Sequence, residues 1–132
     1  MKQMTVIVND EVGVLADISY LLGKAKINID SISVISSQGK AILTFLLKDE
    51  KKAANLLKSN GYQVLESEIF VIRLKDEPGE LSKLSSILVK EKINITSLYI
   101  VAKERGNSII ALKVGKPKKA KKILFPYMKI ED

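Results

Sequence analysis

Two short stretches of this sequence hold an acid, a glycine and an asparagine in an order that could grip a small charged molecule. The first begins Asp10-Glu11-Val12-Gly13-Val14-Leu15 and closes on Asn28-Ile29; the second begins Asp76-Glu77-Pro78-Gly79-Glu80-Leu81 and closes on Asn94-Ile95. In each, the glycine opens a segment with helical periodicity. The backbone N–H groups that follow Gly13 and Gly79, with the helix dipole behind them, form a pocket suited to a carboxylate or a phosphate. Glycine also lets a ligand come close to the main chain. Pro78 stiffens the second turn, whereas Val12 leaves the first looser. Asn28 and Asn94 each lie between two isoleucines and offer an amide donor and acceptor to a polar ligand. Plainer readings stand beside these: a capping turn for Asp-x-x-Gly, and an asparagine bonding its own backbone at a turn.

Other chemistry is poorly supplied. His and Cys are both absent, which removes disulfides, thiolates and the usual zinc ligands. The side chain that most often serves as a general base near neutral pH is missing with them. The adjacent acids Asp10-Glu11, Asp49-Glu50 and Asp76-Glu77 diverge from one another and read as helix-start polarity, not as an acid/base pair. Tyr20, Tyr62, Tyr99 and Tyr127 read as core or interface residues. No enzyme, metal or cofactor is expected.

The two stretches belong to a duplication. A shift of 66 residues, half of the 132, lays Thr5–Ser37 on Val71–Lys103. Asp10, Glu11, Gly13, Leu15, Ser19, Leu22, Lys24, Lys26, Ile27, Asn28, Ile29 and Ser31 recur at their partner positions. Such self-similarity means two copies of one structural unit. Residues 1–67 and 68–132 are therefore expected to form two units with no linker between them. Each unit would be marginal alone at that size.

Within the first copy, Met4–Asn9 reads as a strand, and Leu15, Ile18, Leu22 and Ala25 as one helical stripe. Ile29–Ser36 and Ala41–Lys48 pair through a turn at Gln38-Gly39; Lys51–Ser59 is a second helix and Tyr62–Leu65 a fourth strand. The second copy repeats the order with Ile69–Leu74, a helix carrying Leu81, Leu84 and Leu88, then Ile95–Ala102 and Ser108–Val114. A Lys-rich helix over 116–125 and a brief last strand around Met128 and Ile130 complete it. One extra residue is assigned to the loop near Glu104–Asn107, where the offset grows to 67. The fold class is α+β: two ferredoxin-like β-α-β-β-α-β units side by side, antiparallel sheets with helices on one face.

The pattern Asp-x-x-Gly-x-Leu, a leucine-striped helix, then Lys-Ile-Asn-Ile-x-Ser opening a strand resembles the ACT-domain family, twice over nearly the whole chain. The resemblance implies a stand-alone tandem member, a cytoplasmic regulatory module that binds an amino acid where two units pair. One site would combine Asp10, Gly13, Val14 and Leu15 with Asn94 and Ile95; the other would combine Asp76, Pro78, Gly79, Glu80 and Leu81 with Asn28 and Ile29. Backbone N–H groups after each glycine would take the α-carboxylate, and Asp and Asn the α-amino group. Family members that grip serine often carry His two residues before the turn's acid. Val8 and Leu74 stand there, so an apolar or aromatic amino acid is the implied ligand. A partner enzyme of amino-acid metabolism and a homodimer are implied too.

The net charge of +7 is uneven. Residues 1–66 hold 8 Lys and 7 acids; residues 67–132 hold 14 Lys+Arg and 8 acids. Five lysines in Lys116–Lys122 could bind nucleic acid through its phosphates, which makes a transcription-associated protein the alternative function. The ordinary reading is a solvated helix face. Only two Arg occur and no stacking aromatics adjoin the lysines, which argues against base readout. No apolar run reaches membrane-spanning length.

Overall fold

The computed structural model describes residues 2–128. The chain divides into two compact units, Lys2–Ser67 and a second from Glu68 onward. The first unit runs β1 (Lys2–Asn9), α1 (Val14–Lys24), β2 (Ser31–Ser37), β3 (Lys40–Leu46), α2 (Glu50–Ser59) and β4 (Val64–Glu68). The second runs β5 (Phe70–Lys75), α3 (Glu80–Lys90), β6 (Ile95–Glu104), β7 (Asn107–Val114) and α4 (Pro117–Leu124), then a 3-10 turn at Phe125–Tyr127.

In the first unit the sheet order is β2-β3-β1-β4. Strand β3 is antiparallel to both neighbours, with Val6 opposite Leu43 and Val34 opposite Leu43 on the other side. Side chains alternate across a strand. Met4, Val6, Ala41, Leu43 and Phe45 therefore point to one face, where Ile18 and Leu22 of α1 and Ala53, Ala54 and Leu57 of α2 cover them. The second unit repeats this: Ile72, Leu74, Ile110, Leu112 and Val114 pack under Leu84 and Leu88 of α3 and Ala120 and Leu124 of α4. Its sheet order is β5-β7-β6. The expected last strand is not formed at Met128, because Phe125-Pro126-Tyr127 turns as a 3-10 helix; Ile130 lies outside the described residues.

Helix ends are set locally. Helix α1 stops where Lys26 takes a left-handed φ of 60° and the Ile27 N–H donates back to the Leu22 carbonyl at 2.9 Å. Lys92 (φ 58°) and the Ile93-to-Leu88 bond at 2.9 Å end α3 in the same way. This six-to-one bond is the Schellman closure, usually built on glycine. It turns the chain sharply so that Ile27 and Ile93 bury themselves immediately before the two asparagines.

The extra residue of the second copy is not in the hairpin loop. Both hairpins close through two residues of positive φ, Gln38-Gly39 and Arg105-Gly106, the geometry that matches strand twist. The insertion is absorbed inside β6. Ile100 faces Ile110 and Ala102 faces Ile109, so Val101 bulges out, whereas β2 and β3 pair without a break from Ser31 to Ser37. A bulge bends a strand and re-aims the side chains beyond it. After the bulge Lys103 faces Ser108, the place that Ser36 holds opposite Ala41 in the first unit.

Leu22 is fully buried and Val89 is 70% exposed. Leu22→Ala is expected to lower stability by roughly 2–5 kcal/mol, and Val89→Ala to change it by less than about 0.5 kcal/mol. Urea unfolding followed by circular dichroism measures both; equal effects would contradict the assigned core.

Candidate functional site

Each unit carries the same turn between its first strand and first helix. The Asp10 N–H donates to the Gly39 carbonyl at 2.9 Å, and the Asp76 N–H to the Gly106 carbonyl at 2.9 Å. These bonds fasten the start of each turn to its hairpin. Gly13 and Gly79 then sit at the helix N-cap with φ of 95° and 89°. No side chain caps either helix. The first helical bonds run from the Asp17 N–H to the Gly13 carbonyl at 2.9 Å and from the Lys83 N–H to the Gly79 carbonyl at 3.0 Å. Val14 and Glu80 spend their N–H groups on the turn, reaching the Glu11 carbonyl at 3.4 Å and the Glu77 carbonyl at 3.3 Å. The N–H groups of Leu15 and Ala16, and of Leu81 and Ser82, have no partner among the described residues. Pairs of open donors at a helix N-terminus favour an anion.

Asp10, Gly13, Leu15, Asp76, Pro78, Gly79 and Leu81 are exposed, and Val14 and Glu80 half-buried. Leu15 and Leu81 are 44% and 45% exposed, so each presents an apolar flank beside the open donors. Glu80 is tied to Lys83 at 3.2 Å. Asp76 meets Lys103 at 3.3 Å, while Asp10 has no ion-pair partner among the described residues.

The asparagines lie elsewhere. Asn28 and Asn94 are exposed, with Ile29 and Ile95 half-buried behind them. Three residues after Asn28, Ser31 pairs with Leu46, which faces Gln3 at the start of β1. Asp10 follows Asn9 at the other end of that strand. Six strand residues separate the two ends, roughly 20 Å at about 3.3 Å each. In the second unit Ile95 faces Val114, whereas Lys75, just before Asp76, faces Asn107 at the far end of β7. No single unit brings its own turn and its own asparagine to one ligand.

Several features escaped the sequence reading. A surface groove of about 650 Å³ in the second unit is lined by Ile69, Phe70, Val71, Pro117, Lys118, Lys121 and Met128. It runs along α4 and the β5 strand. Lys118, Lys121 and Lys122 also flank exposed Phe125. The Tyr99 phenol is pushed above its usual value of 10.0 by burial. Among the described residues no cluster of carboxylates could hold a metal ion, and no helix is long and apolar enough to cross a membrane.

Residues 1–129 match the family described as the ACT domain pair. The chain belongs to that family. The repeated Asp-x-x-Gly-x-Leu turns and Lys-Ile-Asn-Ile strand entries all lie within the matched residues. Protein BT0572 from Bacteroides thetaiotaomicron is similar in structure at a TM-score of 0.87, with 23% identity over 95% of this chain and 86% of that one. The regulatory subunit of aspartate kinase from Thermus thermophilus, in ligand-free form, gives a TM-score of 0.68 with 15% identity over 95% and 91%. That from Thermus flavus gives 0.64 with 16% identity over 84% and 80%. At these identities the likeness concerns the fold. No curated protein matches the sequence.

A Cβ at Gly13 or at Gly23 would touch nothing within 4 Å, but only Gly13 has a positive φ. Gly13→Ala is therefore expected to cost roughly 1–2 kcal/mol through backbone strain alone. Gly23→Ala, inside α1, should instead stabilise by about 0.5–1 kcal/mol. Thermal unfolding of the two variants, shifting in opposite directions, is the check.

Proposed function

We propose that this ACT domain pair is a non-catalytic regulatory module that binds one amino acid between the glycine turn of one unit and the asparagine of the other. The observation that carries the reading is the separation within each unit. The open N–H donors and the asparagine amide stand at opposite ends of one sheet, so both can meet a small ligand only when a second unit supplies one of them. The donors after Gly13 or Gly79 take the α-carboxylate, while Asp10 with Asn94, and Asp76 with Asn28, face the α-amino group. Leu15 and Leu81 border these positions and Val8 and Leu74 replace polar residues nearby, which supports an apolar or aromatic amino acid.

A bound ligand acts by its difference in affinity between two arrangements. Here it ties two units together and changes how the chain engages an enzyme of amino-acid metabolism or a second copy of itself, in the cytoplasm. The kinship in fold with an aspartate kinase regulatory subunit supports this use. The second reading rests on Lys118, Lys121 and Lys122 beside exposed Phe125, a surface able to meet nucleic-acid phosphates.

Thermal unfolding in the presence of each of the twenty amino acids distinguishes the two. At a concentration of 100 Kd a ligand adds about 2.7 kcal/mol, roughly a 10 °C rise for a chain of this size. An apolar or aromatic amino acid is expected to give that rise. No response to any amino acid, with salt-sensitive binding to RNA or DNA, would sink the first reading in favour of the second.

A further inference from the structure

We infer that the open edge of β5, with the groove beside α4, is a docking site for an extended acidic segment of a partner protein, which adds a strand to the second unit's sheet. This goes beyond amino-acid binding and does not depend on it. The duplication shows what such an edge takes. In the first unit β1 has β3 on one side and β4 on the other. Val64 of β4 packs on the core cluster in which Ala54 of α2 is only 2% exposed. Glu66 of β4 lies 3.7 Å from the Lys58 ammonium of α2. An extended Val-Leu-Glu-Ser-Glu strand, apolar and acidic together, thus flanks β1 there.

In the second unit β5 ends its sheet: β7 pairs with one side, and no strand pairs with the other among the described residues. Helix α4 is placed as α2 is. Ala120 and Leu124 are buried like Ala53 and Leu57. The Lys119 ammonium donates to the Glu91 carbonyl at the end of α3, as Lys52 does to the Ala25 carbonyl at the end of α1, both at 3.1 Å. On that correspondence Lys121 stands at the place of Ala54, yet it is exposed and lines the groove with Lys118, Phe70, Val71 and Met128.

A free strand edge offers unpaired N–H and C=O groups to an incoming strand, and side-chain pockets beside it select the sequence. Here Phe70 and Met128 supply apolar surface, and the surrounding charge is mostly positive. Glu68 is the only acid in the groove's lining. Lys118, Lys121 and Lys122 of α4, and Arg73 and Lys75 of β5, have no ionic partner among the described residues. Alternation along β5 puts Arg73 and Lys75 on the sheet face opposite Ile72 and Leu74, so a docked strand meets cations on both faces. A second copy pairing here about a two-fold axis would bring its own lysines to the same seam, where like charges repel. An acidic partner is drawn in by them.

A fluorescein-labelled peptide with the sequence Tyr62–Glu68, titrated with the whole chain and followed by anisotropy, tests this. Saturable binding is expected. Lys118→Glu combined with Lys121→Glu should weaken it by about tenfold or more and leave the thermal midpoint unchanged, since both side chains are exposed. Leu65→Pro in the peptide keeps its charge but breaks strand pairing, and should abolish binding. Equal binding of the proline peptide would reduce the contact to charge attraction, and binding indifferent to the lysine changes would place it elsewhere; either overturns the inference. So does an absence of peptide binding, whether or not the chain binds RNA through the same lysines. Peptide binding seen only in a variant ending at Met128 would assign the groove to residues 129–132, and a dimer that excludes the peptide would assign the edge to a second copy. Both of these also overturn it, and none of these outcomes bears on amino-acid binding.

Discussion

Burial of one sheet face under two helices is the constraint from which the rest follows. Phe45, Leu43 and Val6 in one unit, and Leu112, Ile110 and Ile72 in the other, are removed from water only if both helices lie across the same side. Burying side chains of this size contributes roughly 1.5–3 kcal/mol each, which outweighs any single surface interaction in the molecule. Once the helices are committed to that face, their N-termini must emerge at strand ends, and the exposed ends of the strands become the places where chemistry can be presented. The open donors after Gly13 and Gly79 are a by-product of this layout. A helix start capped by an αL glycine has no side chain with which to satisfy them.

Much of this was legible in the residues. Leu15, Ile18, Leu22 and Ala25 announce a helix by spacing, and buried Ile18 and Leu22 mark its inner stripe. The strand order followed from alternation and turn residues, though boundaries moved: the fourth strand forms at Val64–Glu68, two residues beyond its expected start at Tyr62. The ending of α1 and α3 on left-handed lysines was not legible, because Lys26 and Lys92 carry no local preference for that conformation. Tertiary packing of Ile27 and Ile93 imposes it.

The site divides in the same way. Glycine turns and asparagines stand out by type and repetition, so their roles as turn and strand entry could be read directly. Their distance apart within a unit required the strand register. The Val101 bulge lay beyond reach for a different reason. An inserted residue changes the alignment offset identically whether it lengthens a turn or buckles a strand, and only the pairing of Ala102 with Ile109 tells the two apart. The Asp76–Lys103 contact depends on that distinction, so it too was invisible.

That bulge has an evolutionary consequence. Twin halves born of gene duplication begin with identical surfaces, and point changes would separate them only gradually. An inserted codon at Val101 re-phases the rest of one strand in a single event while the hydrophobic partners Leu98–Leu112 and Ile100–Ile110 keep their places. One half can thereby specialise without the ancestral architecture being rebuilt.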